Sequence, residues 1–386
     1  MKYLFSSVFL LFLSVGSLCA QSASTVALRQ QLQYKLDSLQ QANRFPGVTF
    51  TAILPDGQEI RLASGLADSV NKARMQPDQR MLSGSIGKTF FVAAVLHLVE
   101  QGKFGLDDPI SKYLGSESWF SRIPNAHAVT IRMLMNHTSG IEEYYQLGDF
   151  MHRLKNDPYR QWKPLELFSY VFDRKPLFEA GAGWGYSDTN YLILGYLVEK
   201  VTGNKMYDLA KKYALNPYKL KATEPSLKFT FNRLAVGYSR AGSPFPFPGP
   251  IVKENKLVFN PEFEWTGGGF VSSSYDLAKW AKAFYTLKTV SEPTRQAMRD
   301  GIKANTGKDH RYGLGMQIKP SEAGFGYGHS GWFPGYISEC AYFPEMGLAV
   351  AIQFNTDDTR LLKKSSYAYL VELVKVIEKD AVSSNF

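Results

Sequence analysis

In the stretch MLSGSIGKTFFVAAVLHLVEQGKF (81–104), Ser85 is followed three residues later by Lys88, at the mouth of an almost wholly apolar run. One helical turn separates the two, so hydroxyl and ammonium project onto one face. Two readings are open. Ser85 caps the helix and Lys88 snorkels to water, or Ser85 is a nucleophile and Lys88 the group that takes its proton. Spacing alone does not separate them, because a second S-x-x-K, Ser69 to Lys72, lies in a polar stretch with no apolar helix behind it. Three further stretches bear on the choice. Tyr186 stands in the Gly-rich loop of EAGAGWGYSDTNYLILGYLVEKVTG (179–203), ahead of another apolar helix, a costly place for a phenol without a partner. His329-Ser330-Gly331 sits in GYGHSGWFPGY (326–336), where glycines let the backbone approach a ligand. His137-Thr-Ser-Gly closes the helical pattern of VTIRMLMNHTSGI (129–141).

Ser-x-x-Lys, Tyr-Ser-x and His-Ser-Gly, in this order and at these separations, resemble the three active-site motifs of the penicillin-recognising serine hydrolases. Streptomyces-type D-alanyl-D-alanine carboxypeptidases, class C β-lactamases and related esterases are the kinds the chain is most similar to. The likeness runs from about Phe45 to Asn355 and takes in MNHTSGI, the YSDTNY segment, TGGGFVSSSYDLAKW (Thr266–Trp280) and YGHSG. It implies that Ser85 is acylated and that Lys88 or Tyr186 takes its proton. It further implies an oxyanion hole from the N–H groups of Ser85 and Trp332, next to Ser330 and Gly331. His329 is expected to orient the proton network or to meet a substrate carboxylate, and His137 to hold its own turn. Two departures stand out. Asp188 replaces the family's Asn, and an ionised Asp accepts hydrogen bonds without donating them. The third motif opens with His in place of Lys, which removes a permanent positive charge. Both changes point away from an efficient β-lactamase and toward a peptidase or esterase.

These residues need elements to hold them. Residues 24–43 have helical spacing, and GVTFTAILPDGQEIRLASG (47–65) reads as a hairpin around Pro55-Asp56-Gly57. From Ser85 to about Lys303 the pattern is mostly helical, broken by a loop SPFPFPGP (243–250) whose prolines forbid regular structure. After Tyr312 strands return as YGLGMQIK, YISECAYF and GLAVAIQFN, and a helix over 360–379 closes the chain. The expected fold is α+β: an antiparallel sheet built from both ends of the chain (21–84 plus 304–386), flanked by the two terminal helices, with an all-helical domain (85–303) inserted and the site between them. The resemblance implies the same division. Trp162, Trp184, Trp265, Trp332 and Phe333, with the 243–250 loop, are candidates for lining the cleft or filling the core.

Residues 1–20, MKYLFSSVFLLFLSVGSLCA, match a secretory signal peptide cleaved after Ala20. The chain is therefore expected to be exported, periplasmic or secreted, with a lipid anchor at Cys19 the lesser alternative because bulky Leu18 precedes it. Cleavage leaves Cys340 as the sole cysteine, in an alternating run that reads as buried. Net charge is +9 and scattered, which argues against nucleic acid, and no later segment is apolar for long enough to span a membrane. The six histidines form no H-x-H or H-E-x-x-H pattern, so no metal is expected, and an acyl-enzyme on serine calls for no organic cofactor. An α/β-hydrolase is set aside because no histidine follows Ser330. The function expected is a serine hydrolase working through an acyl-enzyme on Ser85, foremost a D-Ala-D-Ala carboxypeptidase-like peptidase. An esterase or β-lactamase on the same scaffold is the first alternative. A catalytically weak protein that binds peptidoglycan or β-lactams is the alternative from another class. The expected partner is a small peptide, ester or β-lactam substrate, with peptidoglycan as a further candidate.

Overall fold

In the computed structural model, which describes residues 25–383, the hairpin turn forms where Pro55-Asp56-Gly57 places it. Asp56 Oδ1 accepts the Gln58 N–H at 2.9 Å, and Gly57 takes φ +89°, a conformation glycine adopts without a Cβ penalty. The expected signal segment, with Cys19, lies outside the described residues. Five helices frame the sheet and the site: α1 (25–43), α2 (Gly87–Glu100), α3 (Asp188–Thr202), α4 (Ser274–Thr286) and α5 (Ser366–Ser383).

Among the described residues the main sheet has nine strands. They are β1 (Gly47–Ile53), β2 (Glu59–Asp68), β3 (Ala73–Arg74), β4 (Ile302–Lys303), β5 (Arg311–Tyr312), β6 (Gln317–Ser321), β7 (Gly324–Phe333), β8 (Tyr336–Phe343) and β9 (Leu348–Phe354). Their order is β4-β5-β6-β7-β8-β9-β1-β2-β3, with every neighbouring pair antiparallel. Pairing of β1 with β9, from Val48 opposite Phe354 to Ile53 opposite Ala349, joins the two ends of the chain.

Alternation along the central strands decides what covers each face. In β9, Leu348, Val350, Ile352 and Phe354 meet Phe45, Val48 and Phe50 under the two terminal helices. Leu28, Leu32, Leu36 and Leu39 of α1, and Leu370, Leu373, Val374 and Ile377 of α5, complete that layer. Both terminal helices thus share one face. The other face of β9 carries Ala349 and Ala351, small side chains that admit a helix closely, and α4 lies there against β9, β8 and β1. Ser274 Oγ of α4 reaches Thr51 Oγ1 of β1 at 3.0 Å. One helix of the segment expected as an inserted helical domain therefore lies on the sheet, because its apolar stripe (Leu277, Ala278, Ala281, Phe284) fits the alanine-lined face.

α2 is apolar on nearly every side because it is enclosed on nearly every side. Residues Gly87 to Leu96 and Leu98 are all buried. The one charged side chain among them, Lys88, is fully buried as well, so it does not snorkel to water. An unpaired ammonium there would cost several kcal/mol, and the site exists around its partners.

Candidate active site

Ser85 sits in a single 3-10 turn, Gly84–Ile86, that delivers the chain into α2. The turn is pressed against β7. A Cβ on Gly84, whose φ is +54°, would stand 2.5 Å from Trp332 O and 2.7 Å from Trp332 N. A Cβ on Gly331 would stand 1.9 Å from Ser83 O. Glycine at both positions brings the Ser85 and Trp332 backbones side by side, the arrangement an oxyanion hole requires.

Lys88 spends all three of its N–H donors. They go to Ser85 Oγ at 3.0 Å, to Asp188 Oδ1 at 2.5 Å and to the Gly267 carbonyl. The last partner comes from an unusual backbone. Trp265, in the buried segment Pro261–Gly267, has φ 36° and ψ −120°, a conformation that costs a non-glycine residue of order 1–3 kcal/mol. Asp188 opens α3, where the helix dipole favours a negative charge, and its backbone N–H donates to Glu143 Oε2 at 2.7 Å.

Three carboxyl groups consequently surround one buried cation. Asp188 forms the ion pair with Lys88. Glu143 and Glu264 are held well above the usual carboxylate range, first by burial and then by the charge of Asp188. Glu143 Oε1 and Glu264 Oε2 meet no hydrogen-bond partner among the described residues. Glu264 is 6% exposed and lines the cavity over Ser85, whereas Glu143 lies behind it.

Tyr186 lines the same cavity. Its hydroxyl is buried and meets no partner that satisfies hydrogen-bond geometry. Burial, then the charge of Asp188, pushes its acidity far above the ordinary phenol value, while the nearby Ser85 hydroxyl pulls weakly the other way. The phenol keeps its proton. Its ring is 4.3 Å from that of His137 between centroids and lies 5.0 Å from Lys88 Nζ.

His329 is buried on β7 with both ring nitrogens engaged, Nε2 with Tyr312 Oη at 2.7 Å and Nδ1 with Ser330 O at 2.5 Å. Burial, then the charge of Lys88, lowers its pKa to about 3. The ring is neutral, so it does not supply the positive charge that the expected contact with a substrate carboxylate needs. Ser330 N and Oγ both donate to Gln317 Oε1, at 3.0 and 3.1 Å.

The cavity measures about 260 Å³. Its apolar wall is Tyr145, Phe245, Phe263, Trp332 and Phe333, and no lysine or arginine among the described residues lines it. Phe245 belongs to the Pro-rich loop and packs against Tyr145, Phe263 and Trp332 with centroids 5.4 to 5.6 Å apart. Of the other tryptophans named above, Trp162 and Trp265 are core, and Trp184 lines a neighbouring depression beside Met133 and Ile302. Sequence reasoning missed Glu143, Glu264, Tyr312 and Gln317. An acid inside the apolar stretch FEWTGGG was the available signal for Glu264. Cys340 is buried, and burial pushes its thiol up to about 12.

Comparison with known proteins shows what the chain is similar to. A family model described as Beta-lactamase matches residues 32–372. A penicillin-binding protein of Bacillus subtilis (strain 168) is 26% identical over 320 residues, which is 80% of this chain and 67% of that protein. D-aminopeptidase of Brucella anthropi is 25% identical over 308 residues, 79% of this chain and 55% of that protein, so the chain spans about half its length. Among solved structures, a D-stereospecific amidohydrolase from Streptomyces sp. superposes with a TM-score of 0.73 at 25% identity, over 88% of this chain and 97% of that one.

Proposed function

Because the chain belongs to the Beta-lactamase family of serine hydrolases, we propose that it is an amide hydrolase that acylates Ser85 with the residue of a short D-aminoacyl amide or peptide bearing a free ammonium. Glu264 carries this reading: it lines the cavity over the nucleophile, and its buried Oε2 has no hydrogen-bond partner among the described residues. An incoming ammonium gives Glu264 a cation to ionise against and a donor to accept from. The relatives named as D-aminopeptidase and D-stereospecific amidohydrolase support the amide bond and the D configuration. A carboxypeptidase would need a cation for the substrate's terminal carboxylate. Lys88 is saturated and His329 is neutral, so that expectation yields to the amine-directed one. Export through residues 1–20 remains part of the proposal.

The protonation states divide the roles. Once one proton has passed to the Asp188 carboxylate paired with it, Lys88 has a lone pair directed at Ser85 Oγ and serves as base. The attacking oxygen bonds to the substrate carbonyl, and its proton passes to Lys88. Tyr186 gives its phenolic proton to the departing amine and is refilled from Lys88. A water then repeats the transfer in reverse to free the acid. The Ser85 and Trp332 N–H groups hold the carbonyl oxygen through both steps.

The test compares D-phenylalanine amide, its N-acetyl derivative and an N-acyl-D-Ala-D-Ala peptide. We expect N-acetylation to lower kcat/KM by about 100-fold, the loss of one charge-assisted hydrogen bond from a desolvated site. Glu264→Gln should erase the difference, and Ser85→Ala should abolish all turnover. For the free amine, KM should fall as pH rises through the ionisation of Glu264, whose proton must leave before the ammonium binds well. Preferred cleavage of the N-acylated, carboxylate-terminated peptide would overturn the proposal.

A further inference from the structure

His137 and Tyr312 lie behind the cavity wall, yet their hydrogen bonds can be followed donor by donor. The backbone N–H of Ser187 points at His137 Nδ1 at 3.3 Å, and the Asn190 amide approaches the same nitrogen at 3.2 Å. A backbone N–H can only donate, so Nδ1 carries a lone pair and the neutral ring carries its hydrogen on Nε2. His137 Nε2–H therefore donates to Tyr312 Oη at 3.2 Å. The Tyr312 hydroxyl, already accepting, donates its one hydrogen to His329 Nε2 at 2.7 Å. His329 then holds its hydrogen on Nδ1, which donates to the Ser330 carbonyl at 2.5 Å. The far end checks the near end independently, because a carbonyl oxygen that close to Nδ1 requires a hydrogen between them.

We infer that this one-way chain, from the Ser187 amide through His137 and Tyr312 to His329 and the Ser330 carbonyl, makes Tyr312 a positioning residue that locks His329 in its Nδ1–H form. The chain ties together the two walls of the site. Ser187 follows Tyr186 and precedes α3, while Ser330 shares its peptide bond with Gly331, which abuts Ser83. A single tautomer thus fixes where the phenol of Tyr186 stands relative to the β7 backbone beside Ser85. His329 is also faced by Lys88 from α2, Tyr186 from the loop before α3, Tyr312 from β5, the Lys319–Glu339 pair across β6 and β8, and Cys340 from β8. These cations oppose a second proton on His329, and the Tyr312 O–H occupies the nitrogen that would receive it.

The first experiment needs no variant. Histidine ring nitrogens of the ¹⁵N-labelled wild-type protein are recorded from pH 5 to 8, with His329 assigned by its loss in His329→Asn. We expect a protonated Nδ1 and an unprotonated Nε2 on His329 throughout, and the reverse on His137. An Nε2–H signal on His329, or titration inside that range, overturns the inference. Tyr312→Phe supplies the functional arm, read on any ester or amide that the wild type hydrolyses. With the donor gone, nothing pins Nε2 as an acceptor, so an Nε2–H form of His329 should become detectable in the nitrogen spectrum. We expect kcat to fall by at least about tenfold with KM changed by less than about twofold, the signature of lost positioning. An unaltered His329 nitrogen spectrum in a folded Tyr312→Phe protein, shown by circular dichroism, would equally overturn it. The nitrogen spectra test the chain even if the amine-directed reading of the substrate fails.

Discussion

The two walls of the site are built on opposite principles. The helical wall, with Lys88, Asp188, Glu143, Glu264 and Tyr186, is crowded with protonatable groups out of balance: one cation among three carboxyls. The sheet wall, with His329, Ser330, Gly331 and Trp332, holds only neutral groups whose hydrogens have single destinations. Acyl transfer asks for both. Protons must be able to move where the nucleophile and leaving group are, and an oxyanion must meet donors that do not move at all. The difference also explains the departures from the family pattern. Asp188 adds charge to the wall that already handles it, and His329 removes charge from the wall that does without it.

That contrast can be broken most severely at Lys88 and Tyr186. Lys88→Ala and Tyr186→Phe should each lower kcat by roughly 10²–10⁴-fold with the circular dichroism spectrum retained, as measured by steady-state hydrolysis. Full activity in either would mean that the helical wall does not carry the protons. A smaller effect is expected at Asp188. Asp188→Asn removes one negative charge beside the nucleophile, and acylation of Ser85 by a penicillin, whose carboxylate that charge repels, should speed up by about tenfold. Intact mass spectrometry over time reads this directly, and an unchanged rate would show that the Asp188 charge is not what excludes anions. The smallest effect concerns stability. Glu143 binds its proton more tightly folded than unfolded, so it costs stability increasingly as pH rises above the unfolded value near 4.5. Glu143→Gln should therefore raise Tm by roughly 2–4 °C at pH 8 and leave it nearly unchanged at pH 4. A gain that is equal at both pH values would separate the effect from charge.

Much of this was legible in residue order. The apolar run after Lys88 announced a buried helix, and period-two alternation in ISECAYF and GLAVAIQF announced central strands. The joining of the chain ends into one sheet followed from strands at both termini. The position of α4 was not legible, because helix-forming residues do not say which surface they will cover; the answer lay in the alanines of a strand about seventy residues further on. Within the site, Ser85, Lys88 and Tyr186 carried motif spacing. Glu264 and Tyr312 did not, since their roles depend on a strained turn at Trp265 and on a hydrogen-bond direction set at Ser187. The neutrality of His329 comes first from burial, a property of the fold that the motif does not encode.

The bare backbone contact between Gly84 and Trp332 has a mechanical consequence. Two main chains that touch with no side chain between them form a seam rather than a hinge, and the gap it sets cannot be widened by trimming a residue. Adaptation to new substrates must then work on the side that is not welded. The loop carrying Phe245 closes the far rim of the cavity with a single aromatic ring, so exchanging that loop would resize the mouth while the nucleophile and its backbone donors stay in register.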